Sequence, residues 1–231
     1  MPGRIVPGFA PSSFGFRFPN QFPKVPLRRI GIPSVVSVPI GDASNGLCGG
    51  MVFASRDYFE ERRRPPQRTT APGKGPLYDY LVVRVFDSFN LPYGPMRYLE
   101  LMHPSFPDGE TVWSRLGLGP HGRAWVMIRQ EWPKVRADID SGHPSPLGLI
   151  RVKSTNPFDL KYDHQVLAYA YDLTGSLLTL SIYDPNWPDR DDVTMSLDTS
   201  NPTRPTTVTV TPPDWSVYAF FRVSYRRSTP P

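Results

Sequence analysis

The sequence predicts an α+β fold, with helices from its earlier part packed on an antiparallel sheet formed by its last third. Three observations predict it. Apolar residues recur at helical spacing as far as residue 141, the period changes to two from residue 147, and Gly, Pro and Asp cut the second region into short runs. Helices on one side of an antiparallel sheet are a stable layered solution for that order of elements. With 231 residues, 39% apolar and 13% aromatic, there is material for one sizeable core, and a single domain over 1–231 is expected.

Residues 1–30 are expected to form an irregular arm carrying Phe14, Phe16, Phe18 and Phe22. The stretch 46–63 has apolar residues at 47, 51, 52, 58 and 59, a spacing that fits one helix, and "RPPQ" must end it. A Pro- and Arg-rich loop follows over 61–76. "LYDYLVVRVFDSF" (77–89) is apolar nearly all round, so its length admits a buried helix or a strand; helix is the reading carried forward. Residues 95–102 make a short third helix, and 122–141 a fourth, which Pro133 must kink or interrupt before Gly142 stops it.

The strands are "LGLIRV" (147–152), "HQVLAYAYD" (164–172), "LLTLSIYD" (177–184), "TTVTVT" (206–211) and "VYAFFRVSY" (217–225). "DLTGS" joins two of them as a tight hairpin. No self-similarity at 20 to 50 residues points to a repeat fold.

Charge and composition exclude several classes. The net charge of +5 has its densest basic run, "ERRRPPQR" (61–68), in a proline loop rather than along an aromatic-interleaved face, so it reads as solvated and no nucleic-acid partner is expected. No segment approaches the roughly 20 apolar residues of a bilayer span and no signal-peptide core is evident, so no membrane is expected and the cytoplasm is the default compartment. One cysteine excludes an internal disulfide framework and a Cys-rich zinc site. "DRDD" (189–192) lacks the Gly and Glu positions of an EF-hand loop and reads as a solvated loop, and His103, His121 and His143 have no metal-ligand spacing. No metal and no cofactor are expected.

That cysteine, Cys48 in "NGLCGGM", falls in the first turn of the 46–63 helix, where unpaired N–H groups and the helix dipole favour an anion. Alone, a cysteine there reads more simply as a small buried apolar residue. Gly49 and Gly50 are poor helix formers, by roughly 1 kcal/mol each against Ala, and bare backbone beside the sulfur would leave room for a substrate chain. Thiolate chemistry also needs a base and a group to hold it. His164 opens a strongly patterned strand, and Asp184 ends the next strand one hairpin away. Asp163 alternates to the opposite face from His164, and Asp172 lies at the far end of its strand, so Asp184 is the expected holder of the imidazole.

"NGLCGGM", "DHQVLAYAYD" and "IYDPN" resemble the cysteine, histidine and aspartate motifs of papain-like cysteine peptidases, in the branch similar to bacteriocin-leader-processing peptidases. The likeness extends loosely over residues 30–225. It implies a papain-like fold in which Cys48 is the nucleophile, His164 the general base and Asp184 the orienting group. Such enzymes usually carry a Gln six residues before the cysteine as oxyanion donor; position 42 here is Asp42, whose charge would repel an oxyanion. Asn45 is the alternative side-chain donor, or else a residue of the helix N-cap region. Trp187, with Trp125, Met127 and Trp132, reads as core or groove wall, and Gly49, Gly50 and Trp187 as the groove. The implied function is a cysteine hydrolase acting on peptide or isopeptide bonds of a peptide or protein substrate; an acyltransferase or deamidase on the same three residues, and a non-catalytic module binding through an aromatic groove, are the alternatives.

Overall fold

In the computed structural model, which describes residues 3–23, 47–90, 93–212 and 214–231, helices precede strands. A two-residue strand β1 (Arg4–Ile5) and a turn of helix α1 (Pro11–Phe14) open the arm. Then come α2 (Cys48–Glu60), α3 (Pro76–Ser88), α4 (Tyr93–Met102), α5 (Val112–Arg115), α6 (Arg123–Trp125) and α7 (Trp132–Asp140). The strands are β2 (Ser145–Ile150), β3 (His164–Thr174), β4 (Leu177–Tyr183), β5 (Thr194–Asp198), β6 (Val208–Thr211), β7 (Trp215–Val217) and β8 (Ala219–Arg222). A 3-10 turn over Pro157–Tyr162 leads into β3.

The ambiguous 77–89 segment is the helix α3, started by Pro76, whose missing N–H is harmless in a first turn. The expected interruption at Pro133 takes the form of a π-helical stretch, Val126–Glu131, in which the Trp132 N–H reaches back five residues to the Met127 carbonyl. In α geometry the Pro133 ring would strike the Arg129 carbonyl, and the wider turn relieves that contact. Gly142, at φ 85°, ends α7 as expected, with the His143 N–H bonded to the Asp138 carbonyl at 2.9 Å.

The strand order is β7-β6-β5-β4-β3-β2-β8, antiparallel throughout, with β1 alongside the far end of β3. "VYAFFRVSY", expected as one strand, is two: β7 pairs with β6 at one edge and β8 with β2 at the other, separated only by Tyr218. The sheet therefore curls until its two edges meet in consecutive residues. β5 was not expected; its V-T-M-S-L alternation lies directly behind the acidic "DRDD" run. At the sheet's centre β3 is buried on both faces from His164 to Tyr171. One β-bulge interrupts its pairing with β4: Ala168 faces Ile182 but Ala170 faces Ser181, so Tyr169 is the extra residue.

The main core joins the sheet to α2, α4 and α7 through residues such as Phe53, Leu101, Val135, Leu149, Val166 and Leu180. A second cluster lies under α2, α3 and the arm, where Phe16, Phe18 and Phe22 pack on Met51, Tyr58 and Leu81. The arm is irregular, as expected, but it is fastened rather than loose.

Candidate active site around Cys48 and His164

Cys48 is the first residue of α2, half-buried, and follows Leu47, whose side chain offers no cap to the helix. The first N–H groups of α2 lack intrahelical partners, and the helix dipole sets partial positive charge at the end that carries Cys48. His164 is the first residue of β3 and is buried; Asp184, also buried, follows the last residue of β4. His164 Nε2 and Asp184 Oδ1 are 2.7 Å apart. The Asn186 N–H donates to the same Oδ1 at 2.9 Å, fixing the carboxylate from its own turn. Asp163 instead accepts the Arg151 N–H at 2.8 Å, and Asp172 accepts from Thr174 Oγ1, so neither holds the ring.

Burial by itself would lower the His164 pKa, but the charge and hydrogen bond of Asp184, together with a hydrogen bond and charge interaction from Cys48, raise it from 6.5 to about 10. The Asp184 carboxylate thus favours the protonated form of the ring, which lies between that carboxylate and the cysteine. Because Nε2 is taken by Asp184, Nδ1 is the nitrogen left for the sulfur. The structure brings Cys48, His164 and Asp184 together across more than a hundred residues of chain.

Two residues that sequence reasoning passed over complete the surroundings. The Asn186 carboxamide sits 3.2 Å from His164 Nε2 through Nδ2. A ring nitrogen donating to Asp184 cannot also accept from an amide N–H₂, so the carboxamide meets the ring productively with its oxygen turned to Nε2, an exchange that leaves the heavy-atom positions unchanged. Asn186 stands in the quoted "IYDPN" motif, so the signal was within reach. Asn20, in the arm, accepts the Leu47 N–H through Oδ1 at 2.6 Å and donates its own N–H to the Pro185 carbonyl at 2.9 Å. No local pattern announces it.

Asp42 and Asn45, the two candidates for the oxyanion, lie outside the described residues. The expectation that Gly49 and Gly50 open room for substrate is corrected. Both are buried, and a Cβ on Gly49 would stand 2.2 Å from Ser88 Oγ and 3.0 Å from the Gln165 carboxamide. On Gly50 it would stand 2.2 Å from the Leu81 carbonyl oxygen and 2.8 Å from Val85 Cγ2. The two glycines admit α3, not a ligand. Trp187 closes the turn after Asp184, its N–H bonded to the Asp184 carbonyl at 2.9 Å, with its indole 37% exposed. Met127 and Trp132 are core residues, whereas Trp125 stacks on His121 at 3.6 Å.

The charge runs are tied down rather than simply solvated. Asp191 of "DRDD" accepts both the N–H and the hydroxyl of Ser12, at 2.8 and 2.7 Å, and Arg17 meets Asp189. Arg63 of the basic run donates to the carbonyls of Pro230 and Pro231, at 3.0 and 2.8 Å. Among the described residues no group of three or more His, Cys, Asp or Glu side chains is disposed to hold a metal ion, and no helix is long and apolar enough to cross a membrane. Comparison of the chain with models of protein families, with curated proteins and with solved structures returned no match in any of the three.

Proposed function

We propose that the protein is a cysteine hydrolase of papain-like type, acting on peptide or isopeptide bonds through Cys48, His164 and Asp184. The observation that carries this reading is the buried His164 imidazole, held at 2.7 Å by the buried Asp184 carboxylate and close enough to Cys48, at the start of α2, to feel its charge.

In this mechanism the His164 imidazolium and the Cys48 thiolate are the reactive pair. The sulfur attacks the amide carbonyl carbon, and the electron pair of the C=O bond moves to oxygen. The backbone N–H of Cys48 and the Asn45 side chain receive that oxyanion, in place of the Gln that Asp42 replaces. Nδ1 of His164 gives its proton to the leaving nitrogen as the C–N bond breaks, leaving a thioester. The now neutral imidazole takes a proton from water, hydroxide displaces the sulfur, and the acid product departs. Asp184 and Asn186 keep the ring in register throughout. An amine in place of that water makes the same site an acyltransferase.

The test is iodoacetamide alkylation of the full chain from pH 4 to 10, beside mass-spectrometric profiling of a peptide library. Fast alkylation well below pH 8, moved to higher pH by His164→Ala, and cleavage abolished by Cys48→Ala, are expected. A thiol that reacts slowly at every pH in the native protein, unaltered by His164→Ala, sinks the catalytic reading in favour of the binding module.

A further inference from the structure

The arm before residue 24 touches both halves of the site at one residue. Asn20 Oδ1 accepts the Leu47 N–H at 2.6 Å, and Leu47 immediately precedes the nucleophile; the Asn20 N–H donates at 2.9 Å to Pro185, which immediately follows Asp184. We propose that Asn20 is a positioning residue that couples the start of the nucleophile helix to the aspartate turn and does so without placing a charge beside Cys48. The proposal rests on the catalytic reading of Cys48 and His164.

Three features support it. The arm is itself anchored on both partners, by Ser55 Oγ to the Phe14 carbonyl at 2.9 Å on the α2 side and by the Phe16 N–H to Tyr183 Oη at 3.2 Å on the β4 side. Asn20 is thus held independently of the two groups it links, and its carboxamide acts as a fixed spacer. Second, Leu47 lacks helical dihedrals, with φ −116° and ψ 37°, and brings no side-chain cap, so the direction in which α2 starts depends on what holds the Leu47 N–H.

The third feature is the chemistry of the residue. Asp and Asn are both good acceptors for backbone N–H groups near a helix start. An ionised Asp at position 20 would stand one residue from the sulfur and oppose the thiolate that the α2 dipole and the His164 imidazolium favour. A carboxamide supplies the same acceptor with no charge. Alanine keeps the backbone N–H that reaches Pro185 but supplies no acceptor for the Leu47 N–H, so the link is cut at the nucleophile helix.

The experiment uses the full chain and its Asn20→Ala and Asn20→Asp variants. Iodoacetamide alkylation of Cys48 is followed from pH 4 to 10 at low and at 1 M salt, with thermal unfolding alongside. Asn20→Ala is expected to slow alkylation at pH 6 by about tenfold, since the sulfur and the imidazolium lose their register. Asn20→Asp retains the bond to Leu47 and shifts the alkylation midpoint upward by about one pH unit, a shift that shrinks at 1 M salt. A group that merely supports the fold would lower the unfolding temperature without producing a salt-sensitive shift. Both variants tracing the parent profile overturn the proposal. Where Asn20→Ala fails to fold, the isosteric Asn20→Asp decides alone: an unshifted midpoint overturns the proposal and a salt-sensitive shift sustains it. A parent protein whose profile is itself insensitive to His164→Ala refutes the catalytic reading instead, so the two failures are told apart.

Discussion

Alanine at position 50 sets two opposing effects against each other at the closest approach of α2 and α3. As a helix residue Ala is favoured over Gly by roughly 1 kcal/mol, so propensity alone predicts a more stable protein. The new methyl would stand 2.2 Å from the Leu81 carbonyl oxygen and 2.8 Å from Val85 Cγ2, where ordinary contact begins at 3.4 Å. Relief requires the helices to part by about 1 Å, because the nearest atom is backbone and no rotamer can withdraw it. Parting them loosens Met51, Ala54 and Tyr58 against Leu77, Leu81 and Val85, all buried. Overpacking of this kind costs about 1–3 kcal/mol, and a backbone clash belongs at the upper end, so Gly50→Ala is expected to lose about 1–2 kcal/mol net. Urea unfolding with an unchanged m-value measures it. Gly49→Ala should be milder, since its methyl meets the Ser88 hydroxyl, and adding Ser88→Ala should recover part of the loss in a double-mutant cycle. A Gly50→Ala protein as stable as the parent, or more so, would refute the packing argument and restore the reading of these glycines as open backbone.

Two further predictions concern carboxylates, one half-buried and one buried. Burial raises the Asp163 pKa from 3.8 to about 7, against the N–H bonds of Arg151 and Val152. The folded state therefore holds that proton more tightly than the unfolded chain. The stability it contributes is complete below about pH 3.8 and is lost as pH rises through 7, on the order of 4 kcal/mol. Asn keeps the acceptor for the Arg151 N–H and does not ionise, so Asp163→Asn should gain on the parent between pH 4 and pH 8; a stability difference that does not vary with pH would count against it. Asp57 accepts from Tyr80, from Arg84 twice, from Tyr225 and from the Ser228 N–H, at 2.7 to 3.1 Å. Asp57→Ala removes the buried one of the two carboxylates on the Arg84 guanidinium, leaving only the half-exposed Asp87 at 2.7 Å, and should cost about 3 kcal/mol in chemical unfolding, and a loss under 1 kcal/mol would show that the network bears little on stability.

The boundary between helices and strands, the kink at Pro133 and the stop at Gly142 were legible because each depends on a local rule: periodicity, a missing N–H, a positive φ. The placing of His164 and Asp184 was legible because a tight hairpin carries one strand straight back along the other. β5 was missed although V-T-M-S-L alternates cleanly, because the acidic residues before it read as solvent-facing when they in fact hold Ser12 and Arg17 of the arm. The split of "VYAFFRVSY" depends on which strands wait on either side of Tyr218, a matter of topology that no run of nine residues contains. Gly49 and Gly50 were noticed for the right reason, their poor helix propensity, and given the wrong neighbour. Asn20 joins residues far apart in the chain through single hydrogen bonds, and one sequence holds no trace of that.

The bulge at Tyr169 gives the site a parity. From the hairpin turn, paired residues of β3 and β4 run in step to Ala170 and Ser181; beyond the extra residue the pairing is Ala168 with Ile182 and Leu167 with Tyr183. Carried one step further, this register sets Val166 opposite Asp184, and His164, two residues along β3 from Val166, shares the face of that carboxylate and meets it at 2.7 Å. Without the extra residue Leu167 would face Asp184, and the imidazole would emerge on the other side of the sheet from its carboxylate. Deleting any one residue between the turn and His164 on β3 therefore inverts the pair, however well each strand still satisfies its ladder, and a compensating deletion on β4 puts it back. What makes His164 and Asp184 partners is thus an odd count of residues along the hairpin, and point substitutions that leave the count intact cannot change it.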